Sequence, residues 1–98
     1  MLTSKQRAAL RGCANKMDTI LQVGKDGINE NLIVQVSDAL TARELIKLRV
    51  LENAPVTARE AAFELAEATG SESVQIIGTR FVLFRRNKDK AQYDHIIK

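Results

Sequence analysis

The apolar residues of this chain switch between a spacing of three to four and a spacing of two, and few folds accommodate that alternation. Ala9, Leu10, Cys13, Ala14 and Met17 recur at helical intervals. Thr3 and Gln6 ahead of them stand at capping-box spacing, where each side chain satisfies an orphan helical N–H. This predicts a helix from Thr3 to Lys16, with Arg7 and Arg11 flanking its stripe on one side and Lys5 and Lys16 on the other. Thr19 to Val23 is a short β-favouring run that stops at Gly24-Lys25-Asp26-Gly27. Asn29 then reads as an N-cap for a helix to Thr41 carrying Leu32, Ile33, Val36 and Leu40. From Arg43 to Leu51 the period drops to two: Ile46, Leu48 and Val50 point one way, Lys47 and Arg49 the other, together with Leu45 and Leu51. That is a strand with one core face and one partly cationic face.

Pro55 interrupts, and Thr57 with Glu60 repeats the capping box, with Val56 and Ala61 placed as a hydrophobic staple. Ala58, Ala61, Ala62, Leu65 and Ala66 form a thin stripe that implies close packing, and Gly70 ends the helix. Val74 to Ile77 and Arg80 to Arg85 are two strands around a Gly78-Thr79 hairpin turn. After Arg86 the pattern dissolves, and the segment to Lys98 is expected to be a loose helix or disordered. The expected class is α/β (α+β): an α-β-α-β-α-β-β order with a mixed four-stranded sheet whose last pair is antiparallel. At 98 residues the chain is expected to be one domain, residues 1–98, with its core in residues 2–87.

Composition narrows the function. The longest apolar run is the four residues Phe81 to Phe84, too short to span a membrane. Lys5, Arg7, Arg11 and Lys16 break up the stretch where a signal peptide would be apolar, so a cytoplasmic protein is expected; separately, a monomer is favoured although the sequence does not fix the oligomeric state. Cys13 lies on a helical apolar stripe, as a buried structural cysteine does, and His95 stands four residues from the C-terminus. These two are too few for a His/Cys metal site, and no carboxylate pair is set apart by apolar surroundings. Neither catalysis, a metal nor a cofactor is expected.

Charge points elsewhere. The net charge is only +3, yet residues 52–72 hold five glutamates against the lone Arg59, leaving fourteen bases and seven acids in the remainder. A basic remainder beside one acidic helix suits a polyanion on one side, and equally a solubilising mixture. The Gly24–Gly27 motif also supports two readings. One is a tight turn whose glycines supply positive φ. The other is an anion clamp at a strand-to-helix junction, where free N–H groups and the helix dipole converge, glycines admit a phosphodiester and Lys25 adds a mobile charge. Loops of this length with terminal glycines clamp the nucleic-acid backbone in KH domains. The spacing fits neither a dinucleotide fingerprint nor a P-loop.

Several runs are then familiar together: Thr3-Ser4-Lys5-Gln6-Arg7, Val23-Gly24-Lys25-Asp26-Gly27-Ile28-Asn29-Glu30, Arg43-Glu44-Leu45-Ile46-Lys47-Leu48-Arg49-Val50, Ser73-Val74-Gln75-Ile76-Ile77-Gly78 and Phe81-Val82-Leu83-Phe84-Arg85. In order and over residues 2 to 87 they resemble the CRM family, the chloroplast RNA splicing and ribosome maturation domains, in its stand-alone bacterial YhbY-like form. The resemblance implies RNA binding with a KH-like G-x-x-G loop and a sheet related to the C-terminal domain of the third translation initiation factor. It also implies association with rRNA of precursor large ribosomal subunits. Candidate RNA-binding residues are Gly24, Lys25, Asp26 and Gly27 in the loop, Lys5, Arg7, Arg11 and Lys16 on the first helix, Lys47 and Arg49 on the strand, and Arg80 and Arg85. Asp26 stands out as a carboxylate that repels phosphate, and Arg43 and Arg86 are weaker candidates. Phe81 and Phe84 should face opposite sides of their strand and serve the core. Recognition should therefore rest on backbone and shape, with little base stacking. A protein-docking module, using the acidic helix or the basic face, is the alternative.

Overall fold

The computed structural model describes residues 2–89 and 91–97. Its elements are α1 (Ser4–Ala14), β1 (Leu21–Val23), α2 (Glu30–Arg43), β2 (Leu45–Val50), α3 (Ala58–Thr69), β3 (Glu72–Ile77), β4 (Arg80–Phe84) and α4 (Asp94–Ile97). The four strands form one sheet in the order β1-β2-β4-β3. The β1–β2 pair is parallel and joined through α2, while β2–β4 and β3–β4 are antiparallel. This is the mixed sheet the periodicity predicts, with α4 added.

The local signals act as chemistry requires. Thr3 and Thr57 each accept the N3 N–H of the helix they start, and Gln6 and Glu60 return the bond to the cap. Asn29 caps α2 by accepting the Leu32 N–H at 2.9 Å. Gly70 ends α3 in the left-handed region at φ 67°, and Gly78 takes φ 59° in the two-residue hairpin turn.

Two apolar clusters hold the sheet, one on each face. On the first, Leu32, Val36 and Leu40 of α2 and Ala58, Ala61, Ala62 and Leu65 of α3 pack on Val23, Ile46, Leu48, Val50, Phe81 and Leu83. On the second, Leu10 and Ala14 of α1 pack on Leu45, Val74, Val82 and Phe84, with Tyr93 and Ile96 joining from the C-terminal segment. Phe81 and Phe84 thus sit on opposite faces, as strand alternation demands. Leu45 shares the face of Lys47 and Arg49 but is fully buried, because α1 lies over that end of the sheet. Cys13 is half-buried against the second cluster, and His95 is exposed.

Element ends differ where no residue type announces them. Helix α1 stops at Ala14 rather than Lys16, and β1 contracts to Leu21–Val23 although the Ile20 N–H still reaches Lys47 O. Helix α2 continues to Arg43, displacing the start of β2 to Leu45, and it ends at Glu44 with φ 66°. Glu44 has a Cβ, so this conformation carries a strain that glycine would avoid. Its side chain accounts for the retention. Glu44 is 1% exposed, and its carboxylate accepts the N–H groups of Asn87 and Gln92, while its carbonyl accepts the Arg85 N–H. The segment after Arg86, expected to be loose, is pinned by this carboxylate. It continues through Tyr93, edge-on to Phe84, into α4, where Asp94 receives Arg86 bidentately. Burial pushes the Tyr93 phenol above its usual range, with Cys13 and Glu44 acting in the same direction. Lys90 and Lys98, also part of that expected tail, lie outside the described residues.

Glu44 therefore links the end of α2, the end of β4 and the tail. Glu44→Ala leaves desolvated N–H groups unmatched and should cost about 2 kcal/mol. Thermal unfolding should register this as a fall of roughly 10 °C in Tm. A Tm within a degree of wild type would detach the tail from the fold's stability.

Candidate nucleic-acid interface

Strand β1 and the C-terminal end of β2 run parallel, so the loop after Val23 and the segment after Val50 emerge side by side. The Leu51 N–H bonds Val23 O at 2.9 Å, and the Val50 N–H reaches Thr79 O at 2.7 Å, which brings the β3–β4 turn to the same end. Ligands commonly sit at the carboxyl ends of parallel strands, because loops and helix N-termini collect there.

The loop itself is a closed turn: the Gly27 N–H donates to Gly24 O at 3.0 Å. Its two glycines have different reasons. Gly27 is buried with φ +67°, and a Cβ there would lie 3.0 Å from Pro55 Cγ, so the fold itself requires glycine. A Cβ on Gly24 would find only Leu51 Cδ1 at 3.8 Å, an ordinary contact, and nothing in the backbone forbids it. The bare backbone at Gly24 is thus left open to the surface. Lys25 and Asp26 project outward and exposed. Beside them is an open groove of about 510 Å³, bounded by Gln22, Asn29, Asn31, Gln35 and Asn53 as well as the loop. It opens at the N-terminus of α2, whose first N–H groups and dipole favour an anion.

The second face of the sheet carries the strand cations. Register partners share a face, so Lys47 stands opposite Val82, and Arg49 opposite Arg80. Helix α1 covers Leu45, Val82 and Phe84 and ends before reaching this region. Lys47 lies at its edge, donating to Ala14 O and Met17 O, both at 3.4 Å, and so capping the carboxyl end of α1. A small depression there is lined by Asn15, Lys47, Gln75, Ile77, Arg80 and Val82, with no carboxylate.

Arg7 and Arg11 lie half-buried along the outer edge of β3, where Arg7 donates to Ser73 O. Arg59 of α3 joins them in a groove with Gln75, Ile76 and Ile77. Lys5 and Lys16 are exposed. Arg85 belongs elsewhere. Its guanidinium makes four hydrogen bonds inside the fold, to Ser37 Oγ and O, Thr41 Oγ1 and Thr69 O, tying β4 to α2 and α3. It lies at the end of β4 that pairs with Leu45, away from the loop. Arg86 pairs with Asp94, and Arg43 is exposed at the end of α2, on that same far side. The glutamates Glu60, Glu64 and Glu67 are exposed on α3, in the layer opposite α1.

Sequence reasoning missed two features. The amides flanking the loop come from three separate segments, at residue 22, over 29–35 and at residue 53, and no spacing in the sequence joins them. Arg59 looked like an isolated base in an acidic helix, until packing of α3 on β3 brought it beside Arg7 and Arg11. Among the described residues no helix is long and apolar enough to cross a membrane, and no group of three His, Cys, Asp or Glu side chains is placed to hold a metal ion.

The CRS1 / YhbY (CRM) domain model matches residues 2–85. A Bacillus subtilis protein named "Probable RNA-binding protein YqeI" is 43% identical over 94 residues, 96% of this chain and 98% of that protein. One from Methanocaldococcus jannaschii, "Probable RNA-binding protein MJ0652", is 34% identical, covering 94% of this chain and 69% of its own length. The solution structure of SAV1595 from Staphylococcus aureus, a candidate RNA-binding protein, superposes with a TM-score of 0.77 at 51% identity, over 90% of this chain and 92% of that one. From the first helix cap to the last strand, the chain belongs to the CRS1/YhbY (CRM) domain family.

Proposed function

We propose that this chain is a non-catalytic RNA-binding protein that grips the backbone of structured RNA and serves assembly of the large ribosomal subunit, its target being rRNA of the precursor. The observation that carries this reading is the shared position of three features. The bare Gly24 backbone beside Lys25, the N-terminus of α2 and the cationic sheet face all meet at one end of the molecule, and the exposed α3 glutamates stand across the sheet from its cationic face. A polyanion approaching that end meets donors and positive charge; one approaching α3 is repelled. The names borne by the B. subtilis and M. jannaschii relatives favour RNA as the polyanion. The subunit assignment follows the ribosome-maturation association of the family.

Aromatic side chains support backbone recognition. Phe81 and Phe84 are buried, so this sheet has no stacking platform of the RNA-recognition-motif kind. Of the first-helix bases, Lys5 and Lys16 are open to contact, and Arg7 and Arg11 bound the basic groove at β3. Asp26 would direct the phosphate towards Gly24 and Lys25 by repelling it from the far side of the turn. A second reading, docking of a protein partner, is favoured by Phe63, 55% exposed on α3 and lining one groove with Ile76.

Sedimentation of lysate through sucrose gradients separates the two. An RNA-bound factor should co-migrate with large-subunit precursors at low salt and leave them at high salt. A protein-docking module would stay at the top at every salt, with its partner retained after nuclease treatment.

The two glycines should also separate. Gly24→Ala should leave Tm unchanged or slightly raised and weaken RNA binding, whereas Gly27→Ala should cost about 1–2 kcal/mol of stability. Equal destabilisation by both would reduce the loop to a turn. Lys25→Ala should lower the slope of log Kd against log salt by about 0.7–0.9, one phosphate contact, without changing Tm. An unaltered slope would remove Lys25 from the interface.

A further inference from the structure

We propose that Arg49 and Arg80 jointly hold a single phosphate of an RNA strand that leaves the Gly24–Gly27 loop and crosses the sheet perpendicular to its strands. This rests on the RNA-binding reading above and adds to it a path and a second anchoring point.

The path follows from register. Gln22 of β1 pairs with Arg49 of β2, Arg49 with Arg80 of β4, and Arg80 with Ile77 of β3. Residues in register share a face, so these four form one row across all four strands, on the side that α1 leaves open. Three interstrand steps make the row about 14 Å long. At its β1 end, Gln22 also borders the groove of Gly24 and Lys25, so loop and row are one continuous surface. At its other end the depression around Lys47, Gln75 and Arg80 contains no carboxylate.

The second anchor follows from charge. Like charges directly opposite on neighbouring strands destabilise a sheet. Here two arginines face each other, and among the described residues neither is paired with a carboxylate. Arg49 Nε is moreover shut off from solvent without a hydrogen-bond partner among those residues. A desolvated donor beside a like charge is unfavourable in the free protein. An anion placed between the two guanidiniums removes both penalties at once. Each guanidinium presents a planar fork of donors, which matches the oxygens of a phosphodiester. An acidic peptide would also supply oxygens, but the row is continuous with a loop and helix N-terminus suited to phosphate, which favours RNA.

The test uses the full chain and a structured fragment of large-subunit rRNA. Binding is measured against salt for wild type, Arg49→Gln, Arg80→Gln, the double variant, and Lys88→Gln, which removes an exposed charge at the far end of the sheet. The double variant should lose about 0.7–0.9 of slope, one phosphate in total, and the single losses should not add. Lys88→Gln should leave the slope as it is. In the free protein, Arg80→Gln should raise Tm by about 1–5 °C as the repulsion disappears. A slope loss of about 1.4–1.8 would overturn the shared seat in favour of two separate phosphates. An unchanged slope would remove the pair from the path, and a fall in Tm would make the arginines supports of the fold. Displacement of the RNA by polyglutamate in wild type, absent in the double variant, would make the pair a seat for acidic peptide. Failure of wild type to bind the RNA would overturn the broader reading, whereas intact wild-type binding with an unaffected double variant would overturn only this one.

Discussion

The structure depends on a mismatch between one helix and one sheet. Helix α1 has eleven residues, about 16 Å, and covers the end of the second sheet face that carries Leu45, Val82, Val74 and Phe84. The same strands continue beyond it with Lys47, Arg49, Gln75 and Arg80. Had α1 run a further turn or two over the sheet, those positions would need apolar residues, and the molecule would have two closed faces and no cationic one. The Lys47 ammonium marks the boundary, donating to the Ala14 carbonyl that ends α1 and to the Met17 carbonyl of the turn beyond it. The other face packs against α2 and α3 through Val23, Ile46, Leu48, Val50, Phe81 and Leu83, which keeps one side of the sheet close-packed although Ile76 on β3 stays exposed.

This arrangement explains how charge is distributed in a protein whose net charge is only +3. The glutamates of α3 are not needed near its buried alanines and lie outward, in the layer farthest from α1. Bases that would pair with them in a random surface are instead spread over the opposite layer, the loop and the β3 edge. The molecule is therefore electrostatically two-sided, which would orient it on a polyanion before any specific bond forms.

Much of this was legible in the chain. Both capping boxes, the Asn29 cap, the Gly70 stop and the hairpin turn were local, and each used a residue type with a single physical reason to be there. The faces of β2 and β4 were legible for the same reason, since a period of two leaves little choice. What escaped notice was tertiary. Glu44 ends α2 where a glycine would be expected, because its carboxylate is committed to a segment more than forty residues away. That commitment also turned an apparently featureless tail into a packed one. Arg85 resembled its neighbours as a strand-end base, yet Ser37, Thr41 and Thr69 consume its donors. Within the loop, the G-x-x-G spacing could not tell that Pro55 would demand one glycine and leave the other open, since Pro55 meets Gly27 only once the chain has folded.

The wedge of Pro55 against Gly27 bears on time as well as shape. A flexible loop must be ordered at each encounter, which slows productive association and weakens the complex by the entropy lost. Here the turn is closed by its own hydrogen bond and braced by a proline before any ligand arrives. If this loop is the RNA clamp proposed above, encounter needs no rearrangement of it, and association would proceed at the rate that long-range attraction delivers the partner. How long such a complex lasts would then be left to the number of phosphates still engaged, and ionic strength would govern residence time more strongly than motion of the loop.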